Sequence, residues 1–466
     1  MAAVGTGVFL ATLDGSIVNV SLPTLVRALE TDFATVQWVV MAYLLIITAS
    51  MLAMGRLADI LGKKTVYSWG FIVFTMGSAL CGAAPSVYWL IACRVIQAAG
   101  ASMMMALGAA ILTEAFPPWE RGKALGLIGA VVSVAIATGP AVGGAIVGTL
   151  SWRWIFYVNL PFGAAGWLLT RRYLPNLKPS TCPPFDYGGA LTLFFSIFSL
   201  LAGLSIGQRQ GFATPASWGL ICLWPIGMTA FVIQEKRRLH PMVDLTLFSN
   251  LTLSISLLTG FICFVGLSGI ILLMPFYLEN VLRFEPVHVG LLMGVVPVML
   301  GITAPISGFV SDRVGSRMLT VIGLAFMSVG YLSAGTLDQE TTAVGYLLRM
   351  SLIGVGLGVF ISPNNSAIMG SAPPHQLGVV SGLMAITRTL GQTVGVSVLG
   401  ALWAGRTALH AGQKLHGSTT LAPLESQAAA LQDTFHCGAL MLVAALVLSG
   451  WRLRKGPDTA ATKGNG

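Results

Sequence analysis

Gly55-Arg56-Leu57-Ala58-Asp59-Ile60-Leu61-Gly62-Lys63-Lys64 and Gly308-Phe309-Val310-Ser311-Asp312-Arg313-Val314-Gly315-Ser316-Arg317 are one phrase written twice, 253 residues apart. Each has a glycine, an aspartate four residues on, a second glycine three further, and then basic residues. Each also ends one long apolar run and begins the next. The spacing recurs elsewhere. Arg94 and Arg349 stand 255 residues apart, each ahead of a glycine-rich stretch, and the 253-residue offset carries Gly139 to Gln392, between Gly391 and Gly395. Three landmarks spaced by 253 to 255 residues indicate two homologous halves.

What surrounds these landmarks is almost uncharged. Of 466 residues, 55% are hydrophobic and 9% charged, with a mean hydropathy of +0.81; soluble domains carry about 25% charged residues. A chain this poor in charge does not coat a soluble globule, so most of its surface must meet lipid. Soluble enzymes, receptor ectodomains and nucleic-acid binders are thereby excluded. The net charge of +9 comes from Lys and Arg scattered in twos and threes, with no basic stripe interleaved with aromatics. The six cysteines (Cys81, Cys93, Cys182, Cys222, Cys263, Cys437) lie mostly within apolar runs without pair spacing, so neither a disulfide framework nor a metal site is expected. The first run lacks a basic leader and carries Asp14 in its middle, which argues against a cleavable signal peptide.

A membrane helix needs about 20 mainly apolar residues. Fourteen such runs are expected, near 3–27, 36–59, 66–84, 87–114, 123–148, 154–171, 187–206, 216–234, 250–275, 288–310, 318–335, 343–369, 378–404 and 435–451. With the N-terminus inside, seventeen of the 26 Lys and Arg fall on the cytoplasmic side, six outside, and Arg94, Arg349 and Arg388 within spans. The positive-inside bias therefore places both termini in the cytoplasm. The expected division is a six-helix half over 1–175, an inserted helix pair over 176–245, a second six-helix half over 246–455, and a tail over 456–466. Parallel repeats about an axis normal to the membrane are a transporter architecture.

Four stretches carry a closer likeness: Leu13-Asp-Gly-Ser-Ile-Val-Asn-Val-Ser-Leu-Pro23, Gly55 to Lys64, Arg94-Val-Ile-Gln97 with Gly100, and Gly139-Pro140-Ala-Val-Gly143-Gly144. Trp152-Arg-Trp154-Ile-Phe156 and Asn159-Leu-Pro161 fit the same pattern, while Ala99 stands where the fourth-helix motif more often has glycine. Together they resemble the fourteen-helix drug:proton antiporter family (EmrB/QacA-like) of the major facilitator superfamily, over essentially the whole chain. The resemblance implies an all-α major facilitator fold in a bacterial inner membrane. It implies a monomer without cofactor or metal that exchanges lipophilic, cationic or neutral drug-like molecules for protons. A dedicated transporter of one metabolite, lipid or natural product, in either direction, is the alternative.

An ionised carboxylate at the middle of a span costs about 2.5–3.5 kcal/mol on insertion scales, so such residues face cavities and do work, unless they merely pin a neighbouring helix. Asp14 is the only carboxylate near the middle of any run. Burial favours its neutral form and a nearby cation its charged form, and the resemblance places span 4, with Arg94, beside span 1. Asp14 and Arg94 are the expected proton-coupling pair. Gln97 lies one turn beyond Arg94 on the same face. With Asn19, Tyr43, Met103 and Arg388 it is assigned to the substrate cavity; Met41, Met104 and Met105 are further adaptable contacts. Arg349 and Arg388 are as well suited to holding carbonyls as to touching substrate. Gly55, Arg56, Asp59, Gly62 and Lys63, with Asp312 and Arg313, are expected to latch the two halves. Gly139, Pro140, Gly143 and Gly144 are expected to give a bent, close-packed helix. Gly203-Leu-Ser205-Ile-Gly207 matches a hydrolase elbow in letters only, since no strand precedes it and no histidine partners it.

Overall fold

An apolar segment in lipid must satisfy its own backbone, which leaves the helix as the solution for runs of this length. The computed structural model describes residues 1–115, 121–174, 186–210, 214–238, 245–371, 377–412 and 419–454. The described regular structure is helical throughout. The first part holds α1 (Ala2–Ala28), α2 (Phe33–Leu61), α3 (Lys63–Gly82), α4 (Val87–Ala115), α5 (Arg121–Thr149), α6 (Trp154–Tyr157) and α7 (Asn159–Tyr173). Next come α8 (Tyr187–Gln210) and α9 (Pro215–Arg237), then α10 (Leu251–Phe276), α11 (Pro286–Met293), α12 (Val295–Val314), α13 (Ser316–Ala334), α14 (Ala343–Gly370), α15 (Leu377–His410) and α16 (Leu424–Arg454).

Among the described residues, ten helical stretches are long and apolar enough to cross a bilayer, and Val134–Thr149 and Gly188–Leu204 are shorter apolar helices. This is a multi-pass helical membrane fold. Its helices lie on the expected apolar runs, with two of those runs broken in two. Proline explains both breaks, because it leaves the carbonyl four residues earlier without a helical donor. Pro161 releases Tyr157, where α6 ends, and Pro297 releases Met293, where α11 ends. The stretch 405–434, which the expected runs 378–404 and 435–451 leave between them, is largely helical among its described residues: α15 runs on to His410 and α16 starts at Leu424. The polar residues that suggested a loop serve the junction between these helices. Asp433 pairs with Arg406 at 3.7 Å and with His410 at 2.9 Å, and the Trp403 indole donates to the Gln427 carbonyl at 3.2 Å.

Packing repeats across the chain as the sequence phrase does. α1 packs on α4, α5 and α7, α2 on α4, and α3 on α4 and α7. Correspondingly, α10 packs on α14, α15 and α16, α12 on α14, and α13 on α14 and α16. The two sets meet along α5 with α11 and α12, along α2 with α15, and where α1 meets α10. α8 and α9 pack on each other, and α8 also leans on α2 and α15. The repeated phrase has one backbone consequence in both copies. Gly62 and Gly315 close α2 and α12 with φ of 92° and 93°, a region that L side chains avoid. Each donates its N–H to the carbonyl four residues back at 2.9 Å.

The core is not the same at the two ends of the bundle. Around the α1–α2 turn one buried cluster joins both sets, with Phe33 ring to ring with Phe276 at 5.0 Å and with Trp403 at 4.8 Å. Arg27 is ion-paired with the buried Glu279 there. At the other end, where α2 turns into α3 and α12 into α13, two clusters replace it. One gathers residues of α1 to α4, the other Leu247, Leu253, Leu257, Ile368 and Val380. Among the described residues one buried cluster joins the two sets at one end, whereas at the other each set has its own, with Ala385 and Ile386 of α15 packed against that of the first.

Candidate functional site

Between the two sets of helices lies a cavity enclosing about 1250 Å³, mouth included. α1, α2, α4 and α5 wall it on one side, and α10, α11, α12, α14 and α15 on the other. Most of the wall is apolar, with Leu267, Ile270, Ile271, Val296 and Leu300 on the second side. Asn19, Tyr43, Arg94 and Arg388 are among its lining residues.

Asp14 lies behind that wall and is fully buried. Its Oδ2 accepts from Arg94 Nη1 at 2.5 Å; its Oδ1 accepts from Gln97 Nε2 and from Asn159 Nδ2, each at 2.8 Å. Arg94 donates further, to Gln97 Oε1 at 2.8 Å and to the Val39 carbonyl at 3.1 Å. Its guanidinium carbon lies 4.0 Å from the centre of the Tyr43 ring, a cation–π contact, and the Tyr43 hydroxyl donates to the Ala11 carbonyl at 3.1 Å. A buried ion pair is tolerable only when geometry is good and the remaining donors and acceptors are met; here each member has two further hydrogen bonds, while Asn159 Oδ1 is left without one. Arg94 and Tyr43 form the wall, and Asp14 reaches the cavity only by way of them.

Gln97 belongs with Asp14 rather than with the cavity, which it does not line. Met103 is a correction. It turns to α3, where its Cβ abuts Gly70, while Met105 lines the cavity. Residues two apart on a helix point about 200° apart, and α4 is apolar on every side, so its sequence does not reveal which face is inward. Met41 and Met104 are core residues. Asn159 was not singled out as a site residue. Its signal is an amide beside a proline break, and the break aims it at Asp14 while it also donates to Ser78 Oγ at 3.1 Å.

The glycines of α5 have two separate employments. A Cβ on Gly139 would lie 2.3 Å from Ser16 Oγ, and one on Gly143 3.0 Å from the Ile17 carbonyl, so these two seat α1. Gly144 faces across the interface instead, where a Cβ would meet the Pro286 carbonyl at 2.4 Å and Gly290 Cα at 2.9 Å. Pro140 leaves the Ile136 carbonyl without its helical donor, and Ser16 Oγ supplies one at 3.3 Å.

Of the expected latch, Gly55 has open space where a Cβ would stand, Gly62 takes its positive φ, Lys63 is half-buried, and Arg313 stacks on Phe309 at 4.4 Å. The side chains of Arg56, Asp59 and Asp312 lie outside the described residues. The two undecided arginines separate. Arg349 binds the Ser333 and Gly345 carbonyls at 3.2 and 3.0 Å and Thr336 Oγ1 at 3.1 Å, whereas Arg388 faces the cavity.

The chain is similar to known transporters over most of its length. The chain is 33% identical over 413 residues to the riboflavin transporter RibZ of Clostridioides difficile (strain 630), covering 88% of this chain and 89% of that one. It is 33% identical over 402 residues to the multidrug transporter protein MdtP of Bacillus subtilis (strain 168), covering 86% and 74%. In fold it is similar to a bacterial homologue of the human lysosomal transporter Spinster, solved in an inward-facing, unoccupied conformation. The TM-score is 0.68 at 17% identity, covering 98% of each chain. The sequence profile of the Major Facilitator Superfamily matches residues 4–396, and the chain belongs to that family of membrane transporters.

Proposed function

We propose that this transporter exports amphipathic drug-like molecules in exchange for protons, by alternating access of two six-helix halves around the central cavity. The observation that carries the reading is Asp14, fully buried and bound to Arg94, Gln97 and Asn159 immediately behind the cavity wall. A proton added to Asp14 removes its charge, weakens its hold on Arg94, and so changes a wall residue of the cavity. The pair then links proton occupancy to the balance between conformations. Export is supported by the likeness to MdtP, named a multidrug transporter, and by the sequence resemblance to fourteen-helix drug:proton antiporters. In this reading α8 and α9 are the inserted pair of a fourteen-crossing chain. The basic loops at the α2–α3 and α12–α13 turns lie in the cytoplasm, and Asp59 and Asp312 latch that side when it closes. The fused end then faces outward and the separated cores inward, so the chain stands inward-facing.

A second reading has its own support. The likeness to a riboflavin transporter over nearly the full length of both chains favours a dedicated carrier of one metabolite. Proteoliposomes with an imposed pH gradient, offered a substrate panel that includes riboflavin, separate the two. Several unrelated substrates moving against their gradients are expected; uptake of a single metabolite would replace the export reading. Coupling is tested by substrate-induced proton release from the solubilised protein, which Asp14→Asn is expected to abolish. Release that persists in that variant would place the coupling site elsewhere.

A further inference from the structure

The cavity holds one fixed charge that none of the described residues answers. Arg94 and Arg388 both line it, and among the described lining residues there is no carboxylate. Arg94 is neutralised from behind by Asp14. Arg388, half-buried on α15, has no hydrogen bond and no ion pair among the described residues. One turn further on the same face, Gln392 lines the cavity too, and its amide is likewise unengaged. An arginine stays protonated at any physiological pH, and an unpaired charge at membrane depth is costly enough to mark a ligand pathway. Arg349, with equal freedom to find carbonyls, is fully engaged by them; Arg388 is held ready without a partner.

We infer that Arg388 is the anchor for an anionic group on the substrate, with Gln392 as an auxiliary donor and the apolar second wall receiving the substrate's body. The preferred substrate is thus an amphipathic anion, such as an aromatic or lipophilic carboxylate. Permanent cations, expected from sequence resemblance, face an unopposed positive charge. A guanidinium offers a planar fork matched to a carboxylate, and Leu267, Ile270, Ile271, Val296 and Leu300 supply the complementary apolar surface. The inference rests on the reading of this cavity as the transport site, but it does not depend on proton coupling.

The test uses three probes with one body and different ends: pyrenebutyrate, pyrenebutanol and pyrenebutylammonium. Binding to the full chain in neutral detergent at neutral pH is read by equilibrium dialysis and by energy transfer from tryptophan. Pyrenebutyrate is expected to bind about tenfold tighter than the ammonium, in the range that charge complementarity gives, with the alcohol between them. Arg388→Gln should erase the preference, and Arg388→Lys should retain most of it. Arg388→Gln removes an unpaired charge, so it should fold at least as well as the parent, which thermal unfolding checks. Equal or tighter binding of the ammonium, absence of pyrenebutyrate binding, or a preference unchanged in Arg388→Gln would overturn the inference. So would displacement of pyrenebutyrate by equimolar phosphatidylglycerol, since Arg388 would then be a lipid anchor. Because no gradient is present, a failure here is distinct from a failure of Asp14 to couple protons.

Discussion

The two halves share a packing plan and differ in their chemistry. At the repeat offsets of 253 and 255 residues, Asp14 on α1 corresponds to Leu267 on α10, and Arg94 on α4 corresponds to Arg349 on α14. The first pair is a buried ion pair completed by Gln97 and Asn159. At the second, Leu267 is cavity wall and Arg349 stitches carbonyls together near the start of its helix. Taking two charges out of water is expensive, and leaving either one alone is worse. One half therefore carries a completed buried ion pair, while the other gives that place to apolar surface and contributes Arg388 from a different helix. In the proposed reading the same scaffold separates a site for protons from a wall for substrate.

The strongest way to break this division is to exchange the roles. Asp14→Asn keeps the side-chain volume and two of its hydrogen-bonding positions, yet holds no exchangeable charge. It should abolish substrate accumulation driven by a pH gradient in proteoliposomes while leaving pyrenebutyrate binding in place. Arg349→Ala removes an arginine at the equivalent position and should leave transport within about threefold, since the charge-assisted bonds it loses, about 1.5–3 kcal/mol each, brace a helix start and touch neither Asp14 nor the cavity. If Arg349→Ala is as damaging as Asp14→Asn, the halves are not divided in this way.

A second break is aimed at the seam. Leucine at Gly144 would press on the backbone of Pro286 and Gly290, which unlike a flexible side chain has nowhere to go. The fused end should be weakened by about 1–3 kcal/mol, the usual cost of overpacking. Spin labels at Thr149 and His288 should then move apart. The same substitution at Gly405, which has no neighbour within 4 Å, is the control. An unchanged distance in Gly144→Leu would mean that this seam does not hold the end closed.

These experiments separate what was legible in the sequence from what was not. The repeat, the helix positions and the charge of the loops were legible, because each is a matter of spacing or of the high cost of charge in lipid. Asp14 and Arg94 stood out for the same reason, and Gln97 followed from helical periodicity. Asn159 did not, because an asparagine near a span end is unremarkable until Pro161 breaks the helix and turns the amide inward. Met103 and Met105 were interchangeable on a helix apolar all round. Arg349 and Arg388 were indistinguishable as letters, and only packing shows that one finds carbonyls and the other a cavity. The polar residues around Asp433 read as a loop because polar residues within two helices that pair with each other look like a turn.

Asn159 offers a smaller and sharper test. Asn159→Leu preserves bulk and removes one of the three donors to the Asp14 carboxylate. Substrate-induced proton release should fall well below the parent's while pyrenebutyrate binding stays in place, since one hydrogen bond to a charged group, about 1.5–3 kcal/mol, is lost beside Asp14 and none in the cavity wall. Proton release equal to the parent's would assign Asn159 to packing alone.

The smallest expected signal is the most informative about direction. Arg94 touches both functions: it holds Asp14 from one side and lines the cavity from the other. A substrate that binds the conformation described here selects the state in which Asp14 is charged and paired with Arg94. Binding should therefore release protons, and by reciprocity protons should release substrate. That is the linkage an exchanger needs. An anion that also drew Arg94 away from Asp14 would do the reverse, since a buried carboxylate deprived of its cation takes up a proton. Proton and anion would then travel together, and the carrier would run as a cotransporter of the kind the alternative reading allows. Adding pyrenebutyrate to weakly buffered, solubilised protein should acidify the medium by less than one proton per chain, and Asp14→Asn should give no change. Alkalinisation by the wild type would leave Arg388 as the anion anchor and overturn the assignment of export.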